Sequence, residues 1–147
     1  MAVGAACPVT RKLLKVSWNT LPLLQGDGPA ALMIVPPSEG PVISVRESER
    51  DALGYVGEKT PWLVPTTYRG SLLIRGRRID GSSPVRFAFG SGNHLTQLSV
   101  PSSKLARNRA HGWFSVPSST LVKQAGCYGF QIDGATFSEH VIVRVTR

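Results

Sequence analysis

The chain has 147 residues, of which 41% are hydrophobic, and it carries a formal net charge of +8. This length fits one domain with a sizeable core, and the apolar fraction excludes a disordered chain. Because no run of 18 apolar residues is present, the sequence also excludes a membrane-spanning helix, and we expect a single domain over residues 1–147.

The first ten residues are expected to form a flexible N-terminal segment, and they contain an ambiguous signal. In MAVGAACPVTRK, small residues precede Cys7 as they do at the end of a lipoprotein signal. The apolar run is too short for a complete signal, however, and no positively charged stretch precedes it. A start codon assigned too far downstream, a shortened chain or an ordinary thiol would also explain this sequence.

Cys7 has one possible partner within the chain, Cys127, and the spacing of the two matches no metal motif. A disulfide between them would stabilise the fold by roughly 4 kcal/mol in the chain-entropy model, and it would be useful only in an oxidising compartment. Lipid attachment and a disulfide would compete for the Cys7 sulfur. Both alternatives indicate an exported protein or one associated with the cell envelope.

Further along the chain, 15 Gly and 11 Pro residues divide the sequence into short segments. Residues 11–18 are compatible with the start of a strand or with a helical turn. Loops are predicted where Gly, Pro or charged residues cluster, at residues 20–30, 47–59, 90–94 and 104–112. Residues 47–59 have room for one helical turn, and residues 104–112 have room for a short helix. Strand-like segments recur every 10–15 residues between them, at residues 31–35, 41–48, 61–65, 70–79, 84–90, 95–100 and 120–124. This spacing, without long helical periodicity, predicts an all-β fold, and we expect an immunoglobulin-like antiparallel β-sandwich.

The segment GCYGFQIDGATFSEH, residues 126–140, gives the most specific local signal. A two-residue Asp133-Gly134 turn is typical of a type I′ hairpin, in which both residues have positive φ. That turn would pair Ile132 with Ala135, Phe130 with Phe137, Tyr128 with Glu139 and Cys127 with His140. The alternation then assigns one face to the core, comprising Tyr128, Phe130, Ile132, Phe137, Val141, Val143 and Val145. The opposite, wetter face would carry Gln131, Thr136, Ser138, His140 and Arg144.

Catalytic chemistry is poorly supported by this segment. Ser138 and His140 would share a face but lie about 6.5–7 Å apart along the strand, and Glu139 would point away from both. A thiol–imidazole pair of Cys127 and His140 would be close enough to interact, although nothing marks an exposed site or an anion hole. We therefore assign no catalytic residues and expect a protein that is not an enzyme.

Metal and cofactor signatures are also missing from the sequence. The three histidines, His94, His111 and His140, are far apart and lack Cys, Asp or Glu at ligand spacing. No phosphate-loop or dinucleotide motif is present, so we expect neither a metal nor a cofactor.

Positive charge is concentrated between residues 69 and 123, which hold nine basic residues and one acidic residue. Candidate binding residues for an anionic surface or protein partner are Arg69, Arg75, Arg77, Arg78, Arg86, Arg107 and Arg109. Trp113 and Phe114 lie nearby in sequence, so nucleic-acid binding is an alternative, although no recognisable nucleic-acid motif is present. The charge could also simply keep a small domain soluble.

From PWLVP onward, the chain resembles a group of uncharacterised bacterial proteins that are often exported or lipid-anchored. The resemblance is carried by Trp62, by GSLLIRGRRIDG at residues 70–81 and by GCYGFQIDGATFS at residues 126–138. It implies an exported β domain without a known activity. The sequence therefore predicts a non-enzymatic β-sandwich that acts in binding or as a structural component of the bacterial cell envelope. The alternative is a basic accessory subunit that contacts a larger assembly or nucleic acid through residues 69–123.

Overall fold

The computed structural model describes residues 6–16 and 19–147. Within them the chain forms 15 strands and one short helix, α1 (Ser102–Leu105). The strands, in chain order, are β1 (Leu13–Val16), β2 (Asn19–Gln25), β3 (Ala31–Met33), β4 (Val42–Ser44), β5 (Val56–Lys59), β6 (Trp62–Pro65), β7 (Leu72–Arg78), β8 (Arg86–Phe89), β9 (Gly92–Leu95), β10 (Leu98–Val100), β11 (Arg109–Ala110), β12 (Trp113–Val116), β13 (Ser118–Val122), β14 (Gly126–Asp133) and β15 (Ser138–Thr146). A single 3-10 turn spans Glu47–Glu49.

These strands form three sheets whose inner faces share one core. The first sheet has the order β1-β2-β3-β6-β12-β11, the second β10-β7-β14-β15-β4, and the third β5-β13-β8-β9. All strand pairs are antiparallel except β15 with β4, which is parallel. The prediction of an all-β, immunoglobulin-like antiparallel sandwich is confirmed.

One buried cluster connects the three sheets. Trp62 of the first sheet meets Phe130 of the second in an edge-on ring contact, with 5.6 Å between ring centroids. Phe87 of the third sheet lies 6.3 Å from the same Phe130 ring. Because every other residue of a strand points inward, each sheet contributes alternate apolar side chains to this cluster. In the third sheet, Val85 and Phe87 are buried and Phe89 packs against the core.

Several predicted loops contain strands. Residues 20–25 belong to β2, although Pro22 lies within them; Pro22 falls beside the register irregularity between β1 and β2, where a missing N–H is tolerated. The predicted loop at 47–59 ends in β5, and the loop or short helix at 104–112 includes β11. The strand predicted as one alternative for residues 11–18 is present as β1, whereas residues 17 and 18 lie outside the described residues.

The strand predicted at residues 95–100 is interrupted because the chain changes sheets there. Leu95 pairs with Phe87 in the third sheet, whereas Leu98 pairs with Ile74 in the second. Two short strands, β9 and β10, therefore replace the predicted one, and β9 begins within the segment predicted as a turn at 90–94.

The N-terminal segment, predicted to be flexible, is described only from residue 6. Thr10 exchanges two hydrogen bonds with Ile142 of β15: its backbone N–H donates to the Ile142 carbonyl, and its Oγ1 accepts from the Ile142 N–H, both at 2.9 Å. Residues 1–5, which contain most of the lipoprotein-like signal, lie outside the described residues.

No helix in the described part of the chain is long and apolar enough to cross a membrane.

Candidate functional site: an open face of the second sheet

The C-terminal hairpin has a longer loop than predicted, and this changes its register. Asp133 pairs with Ser138 across a four-residue connection, and Gly134 N–H donates to the Phe137 carbonyl at 2.9 Å. Neither Asp133 nor Gly134 has the positive φ of a type I′ turn. The predicted pairing was therefore wrong.

The observed partners follow from the longer loop. Ile132 pairs with Glu139, Phe130 with Val141 and Tyr128 with Val143. Cys127 faces Arg144, and His140 faces Gln131, so the proposed Cys127–His140 pair does not exist.

The prediction of which side chains of the hairpin face the core is nevertheless correct. In the observed register, the partner of each β14 residue lies four residues further along β15 than predicted. Because side chains alternate with a period of two, this even shift leaves every side chain on its predicted face. Tyr128, Phe130, Ile132, Val141, Val143 and Val145 are all buried, and Phe137 packs against the core. On the other face, His140 and Arg144 are exposed and Gln131 is half-buried.

This second face is built from rows of residues that cross β7, β14 and β15. From one end to the other, the rows are Leu73, Asp133 and Ser138; Arg75, Gln131 and His140; Arg77, Gly129 and Ile142; and Ile79, Cys127 and Arg144. Neighbouring residues in a row are about 5 Å apart, and rows are about 7 Å apart. A shallow groove of about 590 Å³ lies over the middle rows, with Gly129 in its floor and Arg77, Ile79, Gln131, His140 and Ile142 around it.

The candidate catalytic residues form no hydrogen bond with one another. Ser138 Oγ instead donates to the Asp133 carboxylate at 2.6 Å. Glu139 points into the protein, is 1% exposed, and accepts hydrogen bonds from the backbone N–H groups of Gly28 and Ala30 at 2.7 Å each. Ser138, Glu139 and His140 therefore form no relay.

Glu139 carries a buried carboxylate whose hydrogen-bond partners the sequence did not reveal. Burial raises the pKa of its carboxyl above the usual range, and the N–H groups of Gly28 and Ala30 oppose that shift. The Gly28 backbone lies directly against the carboxylate, where an added Cβ would be 2.7 Å from its carbon. No sequence pattern indicated this contact, because the two partners are 111 residues apart.

The acid at the end of the groove, Asp133, is fully occupied by neighbours on the same face. It accepts hydrogen bonds from Ser138 Oγ, Gln131 Nε2 at 2.9 Å and Arg75 Nη2 at 2.6 Å. The Ser138 hydroxyl, followed by Gln131 and Arg75, lowers the pKa of Asp133 to about 2. Asp133 thus neutralises Arg75 and leaves Arg77 uncompensated.

The seven predicted arginines do not lie on one surface. Arg75 and Arg77 border the groove. Arg78 lies at the far end of β7, where its Nε donates to Asp80 at 2.7 Å and its Nη1 to Gln124. That contact lowers the pKa of Asp80. Arg86 is half-buried in the third sheet and donates to the Val85 carbonyl at 2.9 Å.

The remaining three arginines lie at another edge of the molecule. Arg69 donates to the carbonyl of Thr66 at 2.6 Å, and Thr66 N–H in turn donates to the carbonyl of Gly112 in the β11–β12 hairpin. Arg107 and Arg109 are exposed on or beside that hairpin. The structure thus distributes the seven predicted arginines over the open sheet face, the far end of β7, the third sheet and a separate hairpin surface.

The histidines are equally dispersed. His94 Nε2 lies 2.8 Å from Asp51 Oδ2, and its ring packs against Tyr55 with 5.3 Å between centroids. His111 is exposed in the β11–β12 turn, and His140 borders the groove. The described residues contain no group of three His, Cys, Asp or Glu side chains that could hold a metal ion.

The two cysteines are bonded to each other. Their sulfur atoms are 1.97 Å apart, with 5.4 Å between the Cα atoms, across 120 residues of sequence. The bond ties the N-terminal segment to β14, in the row that also holds Ile79 at one end of the groove.

The comparisons with known proteins add one structural likeness. The chain is similar to the CooA pilin subunit from enterotoxigenic Escherichia coli, at 12% identity and a TM-score of 0.42, over 80% of this chain and 95% of that one. No family model matches the chain, and no curated protein matches it.

Proposed function

We propose that this protein is a non-enzymatic β-sandwich module of the bacterial cell envelope or cell exterior, which acts by binding a partner. The observation that carries the proposal is the Cys7–Cys127 disulfide, because such a bond persists in oxidising compartments and is rare in the cytosol. The open face of the second sheet supports a binding role, since it combines exposed charge with a groove. The hydrogen bond of Ser138 to Asp133 and the burial of Glu139 support a role without catalysis.

The proposal is tested by the redox state and location of the protein in the cells that produce it. Cells are fractionated in the presence of a thiol-alkylating reagent, and the mass of the protein is measured before and after reduction. We expect the protein in the envelope or exterior fraction, with both cysteines protected until reduction. Recovery in the cytosol with two alkylated thiols would refute the proposal.

A second candidate function rests on the other basic surface. Arg107 and Arg109 are exposed and make no ion pair with any described residue, and the half-buried Trp113 and Phe114 lie on the neighbouring strand. Positive charge beside aromatic rings suits the backbone and bases of a single-stranded nucleic acid. A salt titration of binding to single-stranded DNA tests this alternative. Affinity that falls steeply with salt and is reduced in Arg107→Gln and Arg109→Gln would support it; no salt-dependent binding would exclude it.

A further inference from the structure

Gly129 occupies a position where glycine is not required by the backbone. It lies in the middle of β14, the central strand of the second sheet, and its φ is outside the left-handed region. A Cβ added there would meet its nearest neighbour, Ile79 Cγ2, at 3.4 Å, which is an ordinary contact. Every other glycine in the described residues either has a positive φ or would bring a Cβ to 3.0 Å or less from a neighbouring atom.

This glycine reduces stability and opens the surface. Glycine in a strand interior is less stable than alanine, and it commonly marks a place where a ligand or another chain approaches the backbone closely. Here the missing side chain leaves a notch between Arg77 and Ile142, its two neighbours in the row, with Ile79 beside it. The notch forms the floor of the groove.

The chemistry around the notch is apolar at its sides and positive at one edge. Ile79 and Ile142 are half-buried and present aliphatic surface. The exposed Arg77 guanidinium has no hydrogen bond or ion pair with any described residue, whereas that of Arg75 is held by Asp133. A planar guanidinium that is free to bind matches the two oxygens of a carboxylate.

We propose that this groove docks an acidic segment of a protein partner, with an apolar side chain on Gly129 and a carboxylate on Arg77. The net charge of +8 favours an acidic partner and opposes a second copy of this chain. Aliphatic walls fit a protein side chain, whereas bases usually stack on exposed rings such as those of Phe, Tyr or Trp, and none of these three residue types lies in the four rows of this face. The inference rests on the proposed binding function and names its partner class.

The experiment is a titration followed by the backbone amide signals of the ¹⁵N-labelled, oxidised protein. The probe is a terminally blocked peptide in which Asp or Glu alternates with Leu, and the matched control peptide replaces each acid by its amide. We expect the acidic peptide to produce saturable shifts centred on Arg77, Gly129 and Ile142, and the amide peptide to bind about tenfold more weakly.

Two variants locate the binding site, and a third is the matched control. Arg77→Gln removes the free guanidinium, and Gly129→Val fills the notch with a residue suited to a strand; each should weaken binding about tenfold. Lys15→Gln removes an equal charge from β1 of the first sheet and should leave the affinity unchanged. Equal binding by wild type and Gly129→Val, or equal loss in Lys15→Gln, would overturn the proposal.

Heparin in a parallel titration separates a glycan site from a protein site. Shifts at the groove with heparin but none with the acidic peptide would replace the proposed partner by a sulfated glycan. A protein that proves to be exported and oxidised but does not bind the peptide at this face would leave the proposed function standing and refute only this inference.

Discussion

At the scale of single residues, the two acids of the C-terminal hairpin have opposite environments although they lie six residues apart. Asp133 is on the outer face, where the Ser138 hydroxyl, Gln131 and Arg75 lower its pKa to about 2. Glu139 is on the inner face, where burial raises its pKa. Strand alternation thus decides which of them is held as a stable anion and which acts as a buried acceptor.

Replacing Glu139 by glutamine should destabilise the protein. The amide would keep one acceptor but direct an NH₂ donor at the N–H of Gly28 or Ala30, leaving a buried hydrogen bond unmade. We expect the free energy of unfolding at pH 7 to fall by about 1–3 kcal/mol, measured by urea denaturation. Glu49→Gln, which alters an exposed ion pair with Arg46, is the control and should change it by less than about 0.5 kcal/mol. An equal effect of the two substitutions would contradict the buried role of Glu139.

Asp133 should contribute to acid sensitivity. Its folded pKa lies below the ordinary value of 3.8, so its contribution to stability is present above that value and is lost as the pH falls through about 2. Ser138→Ala removes the largest cause of the shift, and the Asp133 pKa should rise towards 3.8. Carboxyl-carbon NMR titration measures this directly. Ser99→Ala, on the exposed side of β10, should leave the Asp133 pKa where it is in the wild type.

At the scale of elements, the hairpin shows why sequence predicted faces better than partners. The alternation of apolar residues fixed which side chains of β14 and β15 point inward, and it did so for any register that differs by an even step. The register itself depended on the loop, and the Asp-Gly pair favoured a two-residue turn that the structure does not contain. The Phe137 ring packs edge-on against Tyr68, a long-range contact that the local sequence could not show.

The candidate site was also predictable only in part, because its residues come from strands that are far apart in sequence. Strand alternation puts Arg75 and Arg77 on one face of β7, and the predicted alternation put His140 and Gln131 on the wet side of the hairpin. It could not show that β7 lies beside β14 and aligns Arg77 with Gly129, because residues far apart in sequence make that pairing. The groove therefore became visible only when the sheet order was known.

Two glycines of the hairpin should respond oppositely to the same substitution. A Cβ at Gly134 would lie 2.3 Å from the Phe137 ring, so Gly134→Ala must displace that ring. We expect a loss of about 1–3 kcal/mol in the free energy of unfolding. Gly129→Ala has room for its Cβ and should increase that free energy by about 0.5–1 kcal/mol. Urea denaturation of both variants tests the pair, and destabilisation by Gly129→Ala would show that glycine is needed there for folding.

At the scale of the whole molecule, the disulfide fastens the N-terminal segment to the second sheet. Cys7 is bonded to β14, and Thr10 follows it along β15, so the N-terminal segment continues the edge of the second sheet beyond β4. The first strand, β1, is only a few residues further along and belongs to the opposite sheet. The bond therefore restrains a connection between the first and second sheets.

Breaking this bond should lower the free energy of unfolding of the whole fold, but the core should remain folded. The buried cluster contains residues of all three sheets and includes neither Thr10 nor Cys7, so a cooperative unfolding transition should remain after reduction. Closing a loop of 120 residues restricts the unfolded chain strongly, and we expect reduction to lower the free energy of unfolding by about 2–5 kcal/mol. Urea denaturation with and without a reductant measures the difference. In the Cys7→Ser/Cys127→Ser double variant, the reductant should have no effect, and the variant should match the reduced wild type. A reduced protein as stable as the oxidised one would mean that the bond restrains only the N-terminal segment and not the sandwich.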